Sequence, residues 1–170
     1  MSVAIRTILF VLLFSYIMTL TTNLDSDKTT TRQLKNSTEL AVHDAALALD
    51  KARLGEGKIV FNRTEARKNF VASLSYNLKL QESSSDSLTP KSNSFLKDPI
   101  RIERLVYIDD NSKDGAESIS FPYHYEDPIY NVSEILNGPG IIAIVSTKTP
   151  RYMKGEGFTA TQASVYEYKR

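Results

Sequence analysis

The residues with the clearest potential for chemistry lie in Asp110-Asn111-Ser112-Lys113-Asp114-Gly115, which sets oxygen side chains at alternate positions ahead of a glycine. Calcium loops gather hard oxygen ligands in this way. Asp110, Ser112 and Asp114 are therefore the candidate calcium ligands. The EF-hand form of such a loop requires a glutamate at its twelfth position, where this chain has Phe121; Glu117 would suit only a looser loop. An Asp-Gly turn in a polar hairpin connection explains the same residues with no ion. Calcium is one reading and an ion-free turn the other; no other cofactor is expected.

Other candidates are weaker. Ser94-Phe95-Leu96-Lys97 has the serine-x-x-lysine spacing in which a lysine assists a serine nucleophile, but the accompanying Ser-Asp-Asn and Lys-Thr-Gly elements are missing, since Lys148-Thr149 runs into Pro150. The two histidines, His43 and His124, occupy unlike settings, the first beside Asp44 in a helical stretch and the second between Tyr123 and Tyr125. His43 reads as an exposed helix residue, because adjacent helical positions point apart. His124 fits a cross-strand pair, with a ligand groove along Tyr123 to Tyr130 as the alternative. No nucleophile, base and orienter can be assembled, so the chain is not expected to be an enzyme.

Composition narrows the classes further. The chain has no cysteine, which removes disulfide scaffolds, thiolate metal sites and cysteine nucleophiles. Its 21 basic and 20 acidic residues nearly cancel, leaving no basic field for a phosphate backbone, so nucleic acid is not an expected partner.

The elements that must position these residues begin with an apolar run. Val3 to Leu20 carries one charge, Arg6, and with Thr21 and Thr22 just reaches the roughly 20 residues that span a bilayer. Tyr16, Ile17, Met18 and Leu20 put bulk where a signal peptidase needs small residues, which favours an uncleaved anchor over residues 1–24 above a cleaved signal. Arg6 is the only basic residue before Lys28, so the positive-inside rule sets the N-terminus in the cytoplasm and residues 25–170 outside as one extracytoplasmic domain. An exported domain without cysteine suits a bacterial cell surface.

Asp25 to Arg53 lacks glycine and proline, and Leu34, Ala41, Ala45, Ala48 and Ala52 form a small-residue stripe on a predicted helix. Leu40, Leu47, Leu49 and Leu54 are expected to widen its packed face, and Gly55 and Gly57 to stop it. The stripe can serve the domain's own sheet or packing between neighbouring rods. Asn62 with Glu65 predicts a capping box, and Ala66, Phe70, Val71, Leu74 and Leu78 one face of a second helix. Residues 81–99, rich in serine and holding Pro90 and Pro99, read as a flexible exposed loop. Strands follow: Ile100 to Ile108 interrupted at Arg104, a return near Ile119 to Tyr125, a central Ile141 to Val145, and Phe158 to Tyr168 after Pro150, Gly155 and Gly157. A helical turn is predicted at Ser133 to Leu136. Helices first and strands later define an α+β fold with a small antiparallel sheet.

This layout of hydrophobic helix, amphipathic stalk and C-terminal sheet resembles type IV pilin-like proteins, and most nearly the TadE-like pseudopilins. The stretch Asn62 to Leu80 with Phe70, Leu74, Asn77 and Leu78, and the ending Gly157-Phe158 to Tyr168, carry the likeness. The chain departs from it in having no glycine before Gly55 and no acid before Asp25, where prepilins have a glycine at the cleavage point and a glutamate early in the mature helix. The resemblance implies an uncleaved accessory component of a pilus-like or secretion-related assembly, partnered by the lipid bilayer and by other proteins or copies of itself. A membrane-tethered ligand-binding or sensor domain, calcium-dependent in one form, is the other function the residues allow.

Overall fold

The computed structural model describes residues 3–152 and 156–169. It is an α+β fold: a long N-terminal helix, two shorter helices and antiparallel sheets. Helix α1 (Val3–Ala46) runs for 44 residues without a break at Thr21 to Asn23, so the apolar run and the stalk form one rod. At 1.5 Å per residue it is about 65 Å long. Among the described residues, none buries any part of the apolar window of this rod. Farther on, Ser26, Thr30, Leu34, Ser37, Thr38, Ala41, Val42, Ala45 and Ala46 are buried against the rest of the molecule.

The rod stops at Ala46 instead of continuing to Arg53. Its continuation is pulled into pairing: the Asp50 amide donates to the Val60 carbonyl at 2.8 Å and the Asn62 amide to the Ala48 carbonyl at 2.9 Å. The Asp50 side chain then caps α2 (Lys51–Gly55), accepting from Ala52 and Arg53 amides. An aspartate in an otherwise helical pattern thus competes successfully for the backbone. Gly57, at φ +77°, turns the chain back.

Helix α3 (Arg63–Leu78) is capped by Asn62, whose side chain accepts the Glu65 amide at 3.2 Å. Ala66, Phe70, Leu74 and Leu78 face inward as their spacing predicts. Residues 81–99 contain ordered pairing instead of a free loop. Strands β1 (Leu80–Ser84) and β2 (Ser87–Pro90) form a hairpin, and Leu88 and Leu96 are buried in the core. Serine-rich composition concealed two apolar anchors in that stretch.

Strand β3 (Ile100–Ile108) pairs with β2 at one end and with β4 (Ser112–Lys113) at the other, while β5 (Glu117–Ser118) continues from β4. The opposite edge of β3 pairs with β8 (Gly140–Lys148), and β8 with β9 (Thr159–Glu167), all antiparallel. A register shift falls between Ile102 and Arg104, where the alternation of the sequence is interrupted. Strands β6 (Tyr123–Asp127) and β7 (Val132–Leu136) form a separate hairpin. Ser133 to Leu136 is therefore strand and not a helical turn, because the reversal is made at Asn131, with φ +52°, by an Asx turn in which Asp127 accepts the Ile129 and Tyr130 amides. The return segment after the Asp110 loop divides into β5 and β6, with a cis peptide bond at Phe121-Pro122 between them. Gly155 lies outside the described residues.

The layers explain the uninterrupted apolar run in β8. Ile141, Ala143 and Val145 join the core under α1 and α3, while Ile142 and Ile144 join a second core under the β6–β7 hairpin with Val106, Ile108, Tyr125, Val132 and Leu136. A strand covered on both faces has no polar face to alternate with.

Candidate functional site

The calcium candidates share one loop, where Asp110 and Asp114 each accept a backbone amide and Ser112 meets the Asp109 carboxylate. Asp110 Oδ2 accepts the Ile59 amide, and the Asp110 amide donates to the Ile59 carbonyl at 3.0 Å, so this residue ties the loop to the link before α3. Asp114 Oδ1 accepts the Tyr107 amide at 2.9 Å. Ser112 Oγ lies 3.5 Å from Asp109 Oδ2. Asp114 and Gly115, at φ +50° and +70°, are the central pair of a turn closed by the Ala116 amide on the Lys113 carbonyl at 3.1 Å. Two successive positive φ values are the geometry of a type I′ hairpin turn. Gly115 also lies against Arg63, whose Nη1 is 2.6 Å from where a Cβ would stand. Among the described residues, no group of three or more histidine, cysteine, aspartate or glutamate side chains is disposed to hold a metal ion.

Sequence reasoning overlooked Asp109, the neighbour that matters most to packing here. Its buried carboxylate accepts the Phe61 amide at 2.9 Å and pairs with Arg63 at 2.7 Å, and Arg63 in turn stands over the Tyr107 ring. Burial pushes the Tyr107 phenol up to about 12. A second polar network joins the β6–β7 hairpin to the sheet. Arg104 pairs with buried Asp127 at 3.0 Å, and Glu103 accepts from Ser146 and from Tyr130. Those bonds from Ser146 and Tyr130 hold the Glu103 carboxyl below its ordinary range, and the same contact holds the Tyr130 phenol above its own.

The other chemical candidates resolve into structural roles. Ser94 is buried, its hydroxyl donating to the Leu78 carbonyl at 2.7 Å and accepting the Leu96 amide at 3.2 Å, so it closes the end of α3. Lys97 is exposed. His43 Nδ1 does reach Asp44, at 3.5 Å, and its ring meets Tyr166 edge-on at 5.2 Å. His124 Nε2 and Ser133 Oγ are 2.8 Å apart on an exposed face of the hairpin, the cross-strand pairing expected of alternating strand residues.

Among the described residues, apolar surface along the rod is left exposed in two places. The first is the apolar half of α1. The second is a shallow groove between α1 and α3, where Leu40, Leu47 and Tyr76 are 52%, 60% and 85% exposed. Leu40, Leu47 and Leu54 were expected to pack and do not; of the small-residue stripe, Leu34, Ala41, Ala45 and Ala48 are at most 5% exposed inside the head, while Ala52, in α2, is exposed.

The head is fixed to the rod where the apolar stretch ends. Arg151 Nη1 pairs with Asp27 at 2.6 Å and reaches the Asn23 carbonyl at 3.4 Å. Ser26 Oγ donates to the Pro150 carbonyl at 2.8 Å. The Thr149 amide donates to the Phe158 carbonyl at 2.8 Å, and a Cβ at Gly157 would collide with the Thr149 carbonyl. Sequence spacing carried no sign of this latch, since its partners are more than 120 residues apart. Comparison with protein-family models, curated proteins and solved structures finds no match to this chain.

Proposed function

We propose that this chain is a non-enzymatic, single-pass membrane protein whose extracytoplasmic head is a structural or accessory component of a surface assembly of the pilus-like or secretion-related kind. One observation carries the reading. A single unbroken helix has an apolar window with none of it buried, then enters the head as a core element. Leaving this largely apolar 18-residue window in water would cost tens of kcal/mol at about 25 cal/mol per Å², which supports placing it in a bilayer. A rod rigidly continuous with its head transmits position from membrane to surface, which is the property a scaffold component needs.

Two further features support it. The Asp109, Asp110 and Asp114 carboxylates are engaged in bonds that hold elements together. The Leu40, Leu47 and Tyr76 groove runs along the rod and presents apolar surface to a neighbour. Rod-to-rod packing through Leu40 and Leu47, and not through the buried alanine stripe, is the contact this geometry favours. The chain has no cysteine, so Leu47→Cys and Leu40→Cys can be cross-linked in native membranes against a silent background. Discrete adducts with another copy or with a partner are expected. A protein that stays monomeric under efficient cross-linking at both positions would refute the assembly role.

A further inference from the structure

We infer that the membrane-proximal end of the head, at Tyr152 and Phe158, docks on the phospholipid interface of the bilayer that holds α1. This rests on the membrane-anchor reading of α1 and adds a second contact to it. The argument begins with height. Asn23, Ser26 and Asp27, which hold Pro150, Arg151 and the Tyr152 amide, lie within three residues of Leu24. At 1.5 Å per residue those contacts are about 2–8 Å beyond Thr22, where the bilayer-spanning run ends. The interfacial layer on each side of the hydrocarbon is about 5–7 Å deep. The latch therefore holds this part of the head at headgroup level.

The side chains presented there suit that layer. Tyr152 and Phe158 are 57% and 58% exposed, although hydrogen bonds tie Thr149 to Phe158 and Pro150 to Ser26 close by. Tyr152 and half-buried Phe95 line a small cleft beside α1 with Thr22, Asp25, Ser26 and Thr29. Tyrosine, with an apolar body and a polar edge, concentrates at the membrane–water boundary, and an exposed phenylalanine can bury its apolar ring at the same level. Lys148, also exposed, pairs across the sheet with Thr159 next to Phe158 and adds a cation at this level. In water these rings would be exposed without compensation; at the interface the same exposure is favourable. The head would then be held upright by two contacts instead of swinging on one helix.

The chain has no tryptophan, so single substitutions report position directly. Tyr152→Trp, Phe158→Trp, Phe10→Trp and Tyr76→Trp would each be made in the full chain and reconstituted into phosphatidylcholine vesicles with and without bromine near the top of the acyl chains. Unchanged far-UV circular dichroism and melting midpoints would show that each variant folds. The expected result is strong quenching of Phe10→Trp, none of Tyr76→Trp, and clear quenching with a blue-shifted emission for Tyr152→Trp and Phe158→Trp. If Phe10→Trp is quenched while both head variants behave like Tyr76→Trp, docking is wrong and the anchor stands. If Phe10→Trp is not quenched, the anchor reading fails and the docking proposal falls with it.

Discussion

Breaking the latch between head and rod should have a measurable and coupled effect. The Asp27 and Arg151 side chains are 25% and 18% exposed, with a 2.6 Å contact between them. Exposed ion pairs contribute about 0.2–1 kcal/mol, whereas removing one partner of a fully buried pair costs about 3–5 kcal/mol. The latch lies between these limits, and its exposure to water argues for the lower part of that interval, about 1.5 kcal/mol for the pair. For a protein of this size each kcal/mol moves the melting midpoint by about 2–4 °C. Arg151→Ala and Asp27→Ala should each lower the midpoint of the full chain in lipid nanodiscs by about 5 °C, and the double variant by little more than either single one. Amide exchange at Thr149 and Tyr152 should accelerate by about tenfold, since 1.4 kcal/mol corresponds to one decade. The reasoning would be refuted by simple additivity, with a coupling below about 0.3 kcal/mol, because the two side chains would then be neighbours without being partners.

Three other perturbations have definite expected outcomes. Thr30 is fully buried on α1 and its hydroxyl has no hydrogen-bond partner among the described residues, so Thr30→Val, which keeps the shape and removes the orphaned group, should raise the melting midpoint by about 2–4 °C; a lower midpoint would mean that the hydroxyl is satisfied. Tyr107 has its folded value raised to about 12 from about 10 in the unfolded chain, so its stabilising contribution is complete below pH 10 and disappears as pH rises towards 12. That loss amounts to about 2–3 kcal/mol, and thermal midpoints measured from pH 9 to 12 should fall less steeply in Tyr107→Phe. Millimolar calcium should leave the melting midpoint unchanged within about 1 °C, because Asp110 and Asp114 are committed to the Ile59 and Tyr107 amides; a rise of several degrees would restore the ion-binding reading.

Much of the fold is legible in local residue patterns. Ala66, Phe70, Leu74 and Leu78 announce α3, Asn62 announces its start, and the unbroken apolar run in β8 announces a strand covered on both sides. The errors arise where tertiary partners override the local signal. The Asp25 to Arg53 pattern extends beyond Ala46, but backbone pairing of Ala48 and Asp50 with the segment before α3 ends the helix. Leu88 and Leu96 are too widely spaced within serine-rich sequence to advertise a hairpin, yet each is almost completely buried. Leu40 and Leu47 look like core residues by type, and only the position of α3 shows that the groove beside them stays open.

The candidate site was less legible. Asp110, Ser112 and Asp114 lie in one loop, and the hydrogen bonds of Asp110 to Ile59 and of Asp114 to Tyr107 depend on contacts that spacing does not encode. Asp109 and Arg63 give no motif because they are 46 residues apart. Arg151 is similarly silent until it is placed beside Asp27.

The central claim is that Val3 to Leu24 lies in the bilayer and the head stands outside it. Single-cysteine labelling tests this most directly, because the native chain has no cysteine. With a membrane-impermeant maleimide on intact cells, Lys35→Cys should be labelled and Leu13→Cys should stay unlabelled until detergent is added. Labelling of Leu13→Cys at the rate of Lys35→Cys, or labelling of Lys35→Cys only after lysis, would contradict the account.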